Sequence, residues 1–263
     1  MSDYAKGLEG VIANESALSN VEGLEGRLSY LGYSIDELVE NCSFEETTYL
    51  LHFGKLPNTS ELADFERSLR TNREIPQGVI DFLKSAPKDA NPMDVLRTGV
   101  SMLGLFDKRA GIGEPDQDAN REVAISLCAQ TSVIVAYYHR ARQGLDLPPV
   151  RDDLSEAGHF LYLITGEEPS EAATKTLDIA YILHADHGMN ASTFSARVTV
   201  ATLSDFYSAM TSAVGTLKGP LHGGANEGVI KMLLEIGSLD KVDAYVEDCL
   251  ENQKKTMGIG HRV

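Results

Sequence analysis

From residue 34 onward the apolar positions recur at helical spacing. Leu62, Phe65 and Leu69 fall three and four apart on one face of a helix starting at Ser60. Ser34 with Glu37, and Ser43 with Glu46, form two capping boxes. They predict a helix ending near Cys42 and a second over Phe44–Phe53, closed by Gly54 and Pro57. Pro76 precedes a helix over 78–84, and Pro92 sits in the first turn of one over 93–106. Further helices are expected over about 121–142, 154–165, 170–187, 192–217, 225–236 and 240–254. The 192–217 stretch is the longest uninterrupted candidate. Its small residues, among them Ala196, Ala201, Ser208, Ala209, Ser212 and Gly215, suit a buried helix or a dimer seam. Residues 5–33 differ: leucines and valines alternate with glycines, which predicts short strands and a small hairpin. Strand–helix alternation is absent, so the expected fold class is all-α with a minor N-terminal β-hairpin.

With 263 residues the chain is long enough for one large domain or two smaller ones. Its net charge of −16 repels phosphate backbones, which argues against nucleic acid as a partner. An anionic ligand needs a local basic pocket, and Lys218, Lys254, Lys255 and Arg262 are candidates. The plainer role for such lysines is to complement helix dipoles. No apolar run approaches the roughly 20 residues that span a bilayer, and no secretory signal opens the sequence, so no membrane association is expected. Cys42, Cys128 and Cys249 are scattered and odd in number, which reads as buried thiols in a reducing cytoplasm.

Chemistry concentrates at three breaks between helices. His222 stands in Gly219-Pro220-Leu221-His222-Gly223-Gly224-Ala225-Asn226-Glu227. The proline directs the chain, the glycines admit unusual backbone angles, and the unpaired N–H groups of the next helix face the same place. A neutral imidazole there can donate to a carbonyl oxygen on which negative charge develops, although a tight surface turn is the bland alternative. His261 follows Met257-Gly258-Ile259-Gly260, a loop whose exposed backbone can bind a heterocycle or a phosphate. His184-Ala185-Asp186-His187 ends a helix. Its two histidines suggest a metal pair or, more simply, a packed ring and a helix cap; no further His or Cys is nearby, so no metal is expected. His52, His139 and His159 sit in helical patterns and read as structural, while Glu45-Glu46 and Asp152-Asp153 read as surface or capping acids. The lone Gly111-Ile112-Gly113 lacks the strand that a dinucleotide fingerprint requires.

Together these segments resemble citrate synthases. The 219–227 and 258–263 segments look like that family's two signature histidine segments, and 184–187 looks like a third. The runs at 26–38 and 49–57 resemble its N-terminal part, in its bacterial and archaeal branch. The resemblance spans essentially the whole chain. It implies a helical fold with a large domain over 1–221 and the beginning of a small domain over 222–263. It also implies a Si-type acyltransferase, working as a homodimer or a multiple of dimers, that joins acetyl-CoA to oxaloacetate. No cofactor is expected, acetyl-CoA being a substrate. His222 would hold the thioester carbonyl while the acetyl methyl loses a proton. His261 would donate to the oxaloacetate ketone, and His187 would bind oxaloacetate. Thr256, Met257, Gly258, Ile259 and Gly260 would contact CoA through the backbone.

The family's basic aspartate and carboxylate-clamping arginines lie beyond its second histidine segment, and no residue here matches them. The expectation is that a chain of these 263 residues is C-terminally truncated, belongs to a longer protein and is inactive alone. Alternatives are a 2-methylcitrate synthase, which takes propionyl-CoA, an inert assembly module pairing through 192–217, and a metal-dependent hydrolase using His184 and His187.

Overall fold

The computed structural model describes residue 12, residues 14–109 and residues 116–259. Three short strands, β1 (Ser19–Glu22), β2 (Arg27–Tyr30) and β3 (Tyr33–Ser34), form an antiparallel sheet in sequential order. The expected hairpin therefore gains a third strand: after the turn at Leu31-Gly32 the chain folds back to pair Tyr33 with Tyr30. Helices follow: α1 (Ile35–Asn41), α2 (Phe44–Phe53), α3 (Thr59–Thr71), α4 (Gln77–Ser85), α5 (Pro92–Phe106), α6 (Gln117–Gln143), α7 (Glu156–Thr165), α8 (Glu171–Leu183), α9 (Ala191–Val200), α10 (Phe206–Leu217), α11 (Gly224–Ile236) and α12 (Val242–Glu251). The all-α reading holds. The Gly111-Ile112-Gly113 fragment lies outside the described residues.

Local chemistry sets most boundaries. Both capping boxes form as the spacing requires, and Gly54 closes α2 with φ 77°. The cap of α3 is Asn58, paired with Glu61, rather than Ser60. The continuous helix expected over 192–217 is instead a helical hairpin. Leu203 takes φ 63° and Asp205 caps α10 by accepting from the Ser208 N–H, so the chain reverses after α9. The longest helix is α6, at 27 residues.

α6 runs through the middle of the main core. Its Val123, Leu127, Val133, Ile134, Tyr137 and Tyr138 meet α4, α5, α7 and α10. Two polar devices lock this packing. The first joins α5, α6 and α10. Asp107, just after α5, takes a forked pair of bonds from Arg109 and one from the Tyr207 hydroxyl, while Arg109 also donates to Ser126. The Arg109 guanidinium, backed by Tyr207, holds the Asp107 carboxyl at about 2. Because the folded pKa lies below the unfolded one, this stabilisation is complete above about pH 4 and is lost as pH falls toward 2. Asp107→Asn is expected to cost about 2 kcal/mol near neutral pH and to flatten that acid limb. Urea unfolding midpoints of both proteins across pH 2–7 check it.

The second device is a buried cluster. Arg73 is fully enclosed and donates to Glu156 and to the carbonyls of Arg151 and Leu154. Glu45 is not a surface acid: it is 4% exposed and accepts the Glu156 N–H at 2.7 Å. A carboxylate at the N-terminus of α7 complements the unpaired amides and the dipole there. His159 is fully buried beside this cluster, and burial, aided by the charges of Arg73 and Arg151, pushes it down to about 3, so it stays neutral and structural. Among the cysteines, all free, only Cys249 is buried; Cys42 and Cys128 are partly exposed.

Candidate active site

Two turns and one helix start make the site. The first turn follows α8. His184 caps that helix and donates Nδ1–H to the Ala180 carbonyl at 2.6 Å, so it has a structural task. The Tyr30 hydroxyl of β2 donates to the Ile182 carbonyl and accepts the Asp186 N–H. The N-terminal sheet thereby anchors the turn that carries His187. Gly188, at φ 60°, redirects the chain, and its N–H meets the Asp186 carboxylate. Asn190 then caps α9, accepting from the Thr193 N–H.

The second turn joins α10 to α11 and carries a half-buried His222. Its Nε2 lies 2.9 Å from Ser192 Oγ, in the first turn of α9. Ser192 is the functional residue that sequence reasoning missed. Its signal was present: a serine two residues past the cap Asn190, close behind His187. The Ser192 hydroxyl also reaches Asn190 Oδ1, at 2.7 Å. That oxygen has two lone pairs, one of them taken by the Thr193 N–H, so the single Ser192 proton has two acceptors within reach, Asn190 Oδ1 and His222 Nε2. When Ser192 gives its one proton to His222 Nε2, the neutral ring carries its own proton on Nδ1. The imidazole then presents an N–H donor away from the serine.

The Gly223-Gly224 pair has a more specific reason than access for a ligand. A Cβ on Gly224 would lie 2.9 Å from the Gly219 carbonyl oxygen and 3.0 Å from that of Lys218. One on Gly223 would lie 2.7 Å from the Leu217 carbonyl oxygen. The end of α10 and the start of α11 touch backbone to backbone, and this contact sets His222. Gly224→Ala is expected to cost about 1–3 kcal/mol and to move His222 off Ser192. A lowered urea midpoint, with a changed imidazole resonance for His222, checks it.

Lys218 does not stand ready for an anion: it pairs with Asp94 in the first turn of α5 at 2.6 Å, and Lys254 pairs with Asp248. Lys255 is exposed, and Arg262 lies outside the described residues. Of the expected CoA-contacting loop, Thr256, Met257, Gly258 and Ile259 are described. Met257 packs where α11 has Gly228, and Gly258 takes φ 83° beside Val229. Gly260 and His261 lie outside the described residues. Among the described residues no three His, Cys, Asp or Glu side chains group as a metal ion requires, and no helix is long and apolar enough to cross a membrane.

Residues 7–263 match the family described as "Citrate synthase, C-terminal domain". The citrate synthase of Deinococcus radiodurans is 50% identical over all of this chain and 69% of its own length. The 2-methylcitrate synthase 2 of Corynebacterium glutamicum is 43% identical, again over the whole chain and 69% of that protein. Among solved structures, the ternary complex of carboxymethyl coenzyme A and oxaloacetate with citrate synthase from Thermoplasma acidophilum superposes with a TM-score of 0.90. It is 32% identical, over 99% of this chain and 68% of that one. With its three histidine-bearing segments in family order and a helical fold that superposes on solved members, the chain belongs to the citrate synthase family.

Proposed function

We propose that the protein condenses acetyl-CoA with oxaloacetate and hydrolyses citryl-CoA to citrate and CoA, the step that opens the tricarboxylic acid cycle. The observation that supports this reading is the Ser192–His222 contact at Nε2: with the Ser192 proton placed in it, rather than on Asn190 Oδ1, the neutral ring offers Nδ1–H as a donor. Taking a proton from the acetyl methyl moves its C–H electrons toward the thioester oxygen. Nδ1–H of His222 stabilises that enolate, and the methyl carbon then attacks the oxaloacetate ketone. His261 is assigned the proton for the new alkoxide, His187 the binding of oxaloacetate, and Thr256, Met257, Gly258, Ile259 and Gly260 the backbone contacts to CoA. Water finally cleaves the thioester. The base of the first step is the family's aspartate, which no residue of this sequence matches.

Further parts of this reading are the boundary between a large helical domain, 1–221, and a smaller one from 222, a homodimer and a cytoplasmic setting. The boundary draws support from α11, which has no buried residue. The dimer draws support from Phe194 and Val198, exposed on one face of α9. A native mass of two subunits is the expected result, and a monomer refutes the pairing.

The second reading is 2-methylcitrate formation from propionyl-CoA, favoured by the 43% identity to the Corynebacterium enzyme. Steady-state rates with both thioesters, on the protein at its natural length, decide between them. The expectation is kcat/KM about tenfold or more in favour of acetyl-CoA, since one methylene is worth roughly 10–200-fold. The reverse preference assigns the second reading, and no turnover with either thioester refutes both.

A further inference from the structure

A cleft of about 620 Å³ opens beside the turn that carries His187. That volume lies in the range of roughly 300–1,000 Å³ typical of small-molecule sites. Its walls include Phe44, Leu51 and Tyr181, and its polar groups include His52, His184 and Asp186. None of the described residues assigned a role in the condensation is in its lining.

The character of the polar groups is one-sided. Among the described residues, no lysine or arginine lines the cleft. Asp186 uses Oδ1 for the Gly188 N–H, which leaves its second oxygen able to accept. His184 spends Nδ1–H on the Ala180 carbonyl, so the tautomer that this bond selects carries its acceptor lone pair on Nε2. Burial, with the charge of Arg121, holds His52 below the usual imidazole range and hence uncharged. Arg121 itself pairs with Asp118 and lies over the Phe53 ring. Cys128, also in the lining, feels the buried carboxyls of Glu45 and Glu156, after burial the next causes pushing its thiol up to about 12. Phe44 and Tyr181, ring centroids 5.0 Å apart, add π faces that attract a cation.

The geometry points to a binding site for a small organic ammonium, a primary amine on an aromatic or branched aliphatic body. The apolar walls take the body, and Asp186 with the His184 acceptor takes the ammonium. Carboxylates and phosphates find no lysine or arginine among the described lining residues, and a neutral alcohol of the same shape leaves Asp186 without a counter-ion. The site does not depend on the condensation reading, because its test reads binding and no turnover.

Isothermal titration with phenethylamine, 3-phenylpropionate and 2-phenylethanol tests it. Phenethylamine is expected to bind saturably with Kd near or below about 1 mM, an ordinary affinity for a ligand of this size. The carboxylate should not bind, and the alcohol should bind at least tenfold more weakly. Asp186→Asn should weaken the amine at least tenfold, and Leu18→Trp, which bulks the lining, should abolish its binding. Absence of saturable amine binding, equal binding of carboxylate or alcohol, or unchanged amine affinity in both variants overturns the proposal. If Asp186→Asn does not fold, Leu18→Trp with the three-ligand comparison decides.

Discussion

Replacing His222 by alanine is expected to lower kcat for citrate formation by about 10²–10³-fold, the usual consequence of losing one oxyanion donor. The proposed donor acts on charge that develops as the acetyl methyl is deprotonated, so its removal raises the barrier more than it weakens binding of the ground state. The KM for oxaloacetate, assigned to His187, should therefore stay within about twofold. Ser192→Ala separates positioning from chemistry. The ring remains, but the hydrogen bond to which the proposal assigns the choice of the Nδ1–H tautomer is gone. A loss of about tenfold in kcat is expected there, together with a change in the His222 imidazole resonance that a merely structural serine would not produce. Steady-state kinetics of both variants at natural length check this. Equal kcat for wild type and His222→Ala would remove His222 from the mechanism.

The largest stability effect belongs to Arg73. Arg73→Met is expected to cost about 3–5 kcal/mol, the range for breaking one side of a buried ion pair. The guanidinium reaches Glu156 through Nε and Nη2 and also satisfies the Arg151 and Leu154 carbonyls. Methionine fills much of the volume but leaves a buried carboxylate and two carbonyls without their donor. Burial already raises the Glu156 carboxyl, against the pull of Arg73, and Glu45 is raised by burial as well. A raised acid favours the folded state in its protonated form. Its stability is fully present below the unfolded pKa and is lost as pH rises through the folded one. The Arg73→Met deficit should accordingly shrink as pH falls, over a higher pH range than the Asp107→Asn deficit, which shrinks only as pH nears 2. Urea unfolding at several pH values reads this, and Arg73→Met with Glu156→Gln should recover part of the loss. A deficit under about 1 kcal/mol would mean that the cluster contributes little.

Features governed by neighbours along the chain were legible in the sequence. Ser34 with Glu37 and Ser43 with Glu46 bond within four residues, so spacing alone announces the caps. The break at Leu203-Ser204-Asp205 was hidden because the small residues on either side read as one continuous helical face. Only packing α9 against α10 makes the reversal favourable, and there Ser195 and Ser212 meet. The lysines near the histidine segments looked like an anion pocket, but Lys218 finds Asp94 more than a hundred residues away. Glu45 looked like a surface acid for the same reason: its partner, Glu156, is distant in sequence.

The sequence by itself determined the helical class, most helix ends and the two histidine-bearing breaks at His187 and His222, because periodicity, caps and glycine turns act within a few residues. Only the tertiary structure decided which groups hold those histidines. The His222 turn depends on a backbone contact between α10 and α11 and on a serine thirty residues earlier. The turn carrying His187 depends on a tyrosine in the N-terminal sheet. The physical reason is range: a cap closes a loop of three residues, whereas these bonds join chain segments that meet only when burial of apolar surface has brought the helices together.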